Sequence, residues 1–71
     1  MVKSLSNIDA EKMGTDLISD TGVAAILGMS KSTVWRMVKR GELPEPARIG
    51  QAARWSRKEI MKFVRDAFAN R

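Results

Sequence analysis

The chain has no cysteine, no histidine and no tyrosine. Without the first two, the usual ligands of zinc, iron–sulfur clusters and haem iron are missing, and no metal or cofactor is expected. Disulfides, a thiolate nucleophile and an imidazole base are excluded in the same way, and the lack of tyrosine removes a further covalent nucleophile. Aromatic residues are scarce as well: two Trp and two Phe in 71 residues predict a small, mostly aliphatic core of marginal stability, with no room for a deep catalytic cleft. The chain therefore reads as a non-enzyme. No apolar run approaches the roughly 20 residues of a membrane span. Met1 to Leu5 do not open into the apolar stretch of a secretory signal, so the expectation is a soluble, cytoplasmic protein. The length predicts one small domain with a short flexible end.

What the chain does have is positive charge in one place. Lys and Arg number 13 against 8 Asp and Glu, a net +5. Up to Gly28 the chain is mildly acidic, with Lys3 and Lys12 against Asp9, Glu11, Asp16 and Asp20. From Met29 onward, eleven basic residues face only Glu42, Glu45, Glu59 and Asp66. A basic surface confined to one part of a small domain points to a polyanionic partner, nucleic acid first.

Residues 1–16 mix Ser, Asn, Gly and Thr with isolated apolar residues and show no period, which predicts a flexible arm. Order is expected over residues 17–71. Ser19 is placed to cap a helix running from about Asp20 to Leu27, with Val23, Ile26 and Leu27 on one face and Gly28 as its stop. Ser30 follows almost at once as a second cap, and Val34, Met37 and Val38 form an inward stripe that ends at Gly41. Two short helices joined by so tight a turn make a helix-turn-helix unit. Pro44 and Pro46 then forbid further helix. Ala47–Ile49 and Ala53–Trp55, separated by Gly50-Gln51-Ala52, fit a small β-hairpin with Ile49 and Trp55 as buried anchors. Ser56-Arg57-Lys58-Glu59 matches a capping box and starts a helix over about Arg57–Ala69.

On a helical wheel of the second helix, Ser32, Arg36 and Lys39 lie opposite Val34, with Thr33 and Arg40 at the flanks and Lys31 in the first turn. No acid occurs from Ser30 to Gly41. Such a face suits the major groove, where Arg reads guanine in bidentate fashion, Lys and Thr hold phosphates, and the helix N-terminus adds backbone donors. Arg48, Gln51 and Arg54 around the hairpin turn make a candidate wing contacting phosphate or the minor groove. Trp35 and Trp55 are expected in the core. On the last helix Lys58, Lys62 and Arg65 form a solvated stripe, while Met61 and Phe68 at the margin of the apolar face are expected to cover the hairpin.

From Leu17 through Leu27-Gly28-Met29-Ser30-Lys31-Ser32-Thr33-Val34-Trp35-Arg36 to Gly41-Glu42-Leu43-Pro44, and again at Arg48-Ile49-Gly50, Arg54-Trp55 and Ser56 to Ile60, the chain resembles AlpA-type phage regulatory proteins and excisionases. The resemblance implies a winged helix-turn-helix fold related to the MerR DNA-binding domain, mainly α with a small hairpin. It also implies work on mobile-element DNA: an excisionase, or recombination directionality factor, that bends attachment-site DNA and assists a tyrosine integrase, or a transcriptional regulator. The second helix would enter the major groove and the wing would touch the neighbouring backbone. A domain of this size covers a modest interface, so cooperative binding of a solution monomer to repeated sites is expected. Two other readings stand beside this one. The first is the DNA-recognition module of a phage terminase small subunit; the second is a protein adaptor that binds through Met61, Phe68 and the last helix.

Overall fold

A computed structural model of the chain describes residues 16–71; the expected arm over residues 1–16 falls, apart from Asp16, outside them. The elements are β1 (Leu17–Ile18), α1 (Asp20–Leu27), α2 (Lys31–Lys39), β2 (Ala47–Ile49), β3 (Ala52–Ser56) and α3 (Arg57–Ala69). This is a winged helix-turn-helix, mainly α, in which a small antiparallel sheet of order β1-β3-β2 braces three helices.

Local chemistry sets the helix ends. Ser19 is extended (φ −85°, ψ 178°) and its hydroxyl accepts from the Gly22 amide, so α1 starts at Asp20. At the other end Gly28 takes φ +68°, a left-handed conformation that residues with a Cβ avoid, and the Met29 amide turns back to the Ala24 carbonyl at 3.0 Å. Only Gly28, Met29 and Ser30 separate the two helices. The Ser30 hydroxyl accepts from the Thr33 amide at 3.2 Å and caps α2. That helix closes with paired bonds from Gly41 to Val38 and from Glu42 to Met37, the pattern that satisfies its last carbonyls. In α3 the Ser56 hydroxyl accepts from the Glu59 amide at 3.3 Å, as the capping box requires.

The core draws on every layer: Val23 and Ala24 from α1, Val34 from α2, Leu43 from the connecting segment, Trp55 from β3 and Ile60 from α3. Trp55 is 1% exposed, and its indole N–H donates to the Pro44 carbonyl at 2.7 Å. The proline segment that follows α2 thus holds the central aromatic in place. Leu43, the sole apolar side chain between Gly41 and Pro44, is buried beside it.

Four expectations need correction. Leu17 and Ile18 do more than precede a cap: they form a third strand, pairing antiparallel with Ser56 and Trp55. The hairpin turn holds two residues, Gly50 and Gln51, rather than three, because Ile49 pairs with Ala52. With φ +65° at Gly50 and no positive φ at Gln51, this is the two-residue turn whose twist matches that of the strands. In this register Ile49 lies on the sheet face opposite Trp55 and is 53% exposed, so it is not a buried anchor. Phe68, at the end of α3 and 61% exposed, does not cover the hairpin. Met61 is half-buried.

Candidate nucleic-acid interface

The outer face of α2 carries what its sequence pattern predicts. Lys31, Ser32, Arg36, Lys39 and Arg40 are all exposed, while Val34 points into the core. Lys31 and Ser32 sit at the capped N-terminal end, where peptide N–H groups and the helix dipole favour an anion. Arg36 and Lys39 follow toward the other end, and Arg40 is the C-terminal cap residue. Thr33 departs from the expectation. It is half-buried and its hydroxyl lies 3.0 Å from that of Ser30, so it belongs first to the cap.

Trp35 fixes how this helix sits. Half-buried, it packs against the core, its ring centroid 5.2 Å from that of Trp55 at a tilt of 58°. Its indole N–H donates to Asp20 Oδ2 at 3.0 Å, joining α2 to the first turn of α1. The Arg48 guanidinium of β2 lies over its ring, 5.9 Å from the centroid. One aromatic side chain therefore touches both helices of the unit and the wing. Such a contact holds a cation with about 0.5–1 kcal/mol at exposed sites. It also limits where the Arg48 head can go.

The wing residues do not form one row. Arg48 pairs across the hairpin with Ala53 and shares the face of Trp55, whereas Arg54 pairs with Ala47 and shares the face of Ile49. Arg54 is half-buried, and its Nη1 donates to the Ala53 carbonyl at 2.9 Å. Gln51 is exposed at the turn. Arg48 is thus the arginine nearest α2, and Arg54 serves the other side of the wing. The Trp35 bonds to Asp20 and Arg48 went unseen in the sequence, because residues 15 and 13 positions apart meet only through the fold; the one signal was an indole beside, rather than within, the apolar stripe of α2.

The Trp35 hydrogen bond lowers the Asp20 carboxyl from its ordinary range, against opposing desolvation and with help from the Thr21 amide and the Lys31 charge. A carboxylate whose folded-state value is depressed stabilises the fold fully above its unfolded value, and that contribution disappears as pH falls through the folded one. Asp20→Asn, which keeps an acceptor but no charge, should therefore melt below the wild type at neutral pH. The gap should close as pH drops below about 4. Thermal melts of both proteins across that range check this; a gap independent of pH would remove the charge from the explanation.

Among the described residues no cluster of His, Cys, Asp or Glu is placed to hold a metal, and no helix is long and apolar enough to cross a membrane. Comparison with known proteins matches residues 22–67 to the family described as the helix-turn-helix domain. Two relatives from two strains of Mycobacterium tuberculosis, each bearing the name "Putative DNA-binding protein", are 31% identical over 61 residues, covering 86% of this chain and 77% of theirs. No solved structure matches.

Proposed function

The chain belongs to the helix-turn-helix domain family, and on that premise we propose that it is a sequence-specific, double-stranded-DNA-binding protein that enters the major groove with α2. The observation that carries this reading is the exposed, acid-free basic face of α2, fixed against the core through Trp35. Arg36 reads a base edge, Lys31, Ser32, Lys39 and Arg40 hold phosphates, and Arg48, Gln51 and Arg54 of the wing follow the adjacent backbone or minor groove. Thr33 acts indirectly, its amide and hydroxyl engaging Ser30 at the cap that sets the start of α2. The names of the mycobacterial relatives support DNA as the partner.

The finer role is that of an AlpA-type excisionase or transcriptional regulator of a phage or integrated element, supported by the motif resemblance from Leu17 to Ile60. In that role it bends attachment-site DNA, assists a tyrosine integrase and binds repeated sites cooperatively as a small, solution-monomeric unit. Exposed Phe68 favours a second reading, a protein adaptor that uses the end of α3. Salt separates the two. Binding to duplex DNA followed by fluorescence anisotropy should weaken steeply as salt rises, and Lys39→Ala should reduce the slope of log affinity against log salt by about one. Absence of DNA binding at physiological salt would favour the adaptor.

A further inference from the structure

Ile49 is the one large aliphatic side chain of the described residues left mostly in solvent, and it sits where the wing ends. It is the last residue of β2, directly before the Gly50-Gln51 turn, on the sheet face turned away from Trp55. The two-residue register put it there: a single-residue shift would have sent it to the core side. Its chain neighbour is exposed Arg48, Arg54 lies two pairs along on the same face, and exposed Gln51 completes the turn. No carboxylate lies between Pro46 and Arg57. The wing tip is therefore an apolar point flanked by cations, Arg54 on its own face and Arg48 on the other, and a protein partner with an apolar pocket would have to desolvate Arg54 to receive it.

A polyanion with an apolar interior meets both halves of that surface at once. Branched aliphatic side chains on minor-groove binders enter between base pairs, unstack the step and kink the duplex, while neighbouring Arg and Gln hold the phosphates and groove floor. Pyrimidine–purine steps open most easily. We infer that Ile49 is an apolar wedge that inserts from the minor groove into a flexible base step of duplex DNA, with Arg48 and Arg54 anchoring the backbone on its two sides. The inference rests on the DNA reading above and adds to it a residue, a groove and a deformation.

The test uses the full chain and a duplex rich in TA steps, carrying 2-aminopurine at those steps and a fluorophore at one end, at low salt. Anisotropy reports binding; 2-aminopurine brightening reports unstacking. Wild type and Ile49→Phe should bind and brighten the probe. Ile49→Ala should bind about tenfold more weakly, in line with the apolar surface removed. Ile49→Lys should bind through its added charge. Neither of these two should brighten the probe. Melting temperatures near that of the wild type will show that both variants fold, as the exposure of this position leads one to expect. Brightening retained in Ile49→Ala, or wild-type binding without brightening, would overturn the wedge and leave DNA binding standing. No anisotropy change with wild type would remove the DNA reading and the wedge with it.

Discussion

Trp55→Ala should remove most of the folding stability of the domain at 25 °C. Truncating a buried aromatic costs about 3–5 kcal/mol in lost transfer energy and residual cavity. A folded unit of the size described here has roughly 3–8 kcal/mol in total. The site has little capacity to collapse around the gap, because Trp55 meets neighbours held on four sides: the Trp35 ring, the Pro44 carbonyl, the β1 strand at Ile18 and the packed residues of α1 and α3. Trp55→Phe separates packing from hydrogen bonding. It keeps most of the volume but leaves the Pro44 carbonyl without its donor, a loss of about 1–3 kcal/mol. Urea unfolding followed by circular dichroism should rank wild type, Trp55→Phe and Trp55→Ala in that order. An alanine variant close to wild type would show that the core is organised elsewhere.

Arg36→Ala should have the largest effect on DNA of any single substitution that leaves the fold intact. The side chain is exposed, so its main effect on stability is the favourable placement of a cation near the end of α2, about 0.3–1 kcal/mol. A bidentate contact to guanine is worth about 1–3 kcal/mol of discrimination. Affinity for the preferred site should accordingly fall by roughly 5- to 150-fold while affinity for unrelated DNA falls far less. Competition titrations with cognate and scrambled duplexes measure the difference. Equal losses on both would reduce Arg36 to a phosphate contact and move base reading to another residue of α2.

Much of the fold is legible because its boundaries are set by short-range chemistry. Ser19, Ser30 and Ser56 each cap the helix that follows, and the bounds of α1 and α3 come out as the sequence predicts. Val34 and Trp55 are buried as expected, and the outward face of α2 follows from its period alone. What escapes a linear reading depends on partners far along the chain. The pairing of Leu17–Ile18 with β3 joins residues 37 or more positions apart, and two residues are too few to show alternation. In the hairpin, a turn of two residues and one of three look alike in the string Gly50-Gln51-Ala52, yet the choice reverses every side chain beyond it. That one-residue difference turned Ile49 outward and set Arg48 and Arg54 on opposite faces. Phe68 follows the apolar stripe of α3 by period, yet near the end of that helix it is left exposed among the described residues.

The most direct test of α2 as a sequence-reading helix is to incubate the protein with fragmented DNA of its source organism at physiological salt, recover the bound fragments and sequence them, with Arg36→Ala in parallel. Enrichment of a defined set of sites by the wild type, lost in the variant, is the expected result; repeated sites beside an integration junction would assign the excisionase role, and promoter sites transcriptional control. Uniform recovery across the genome, or identical enrichment by both proteins, would contradict base reading by α2.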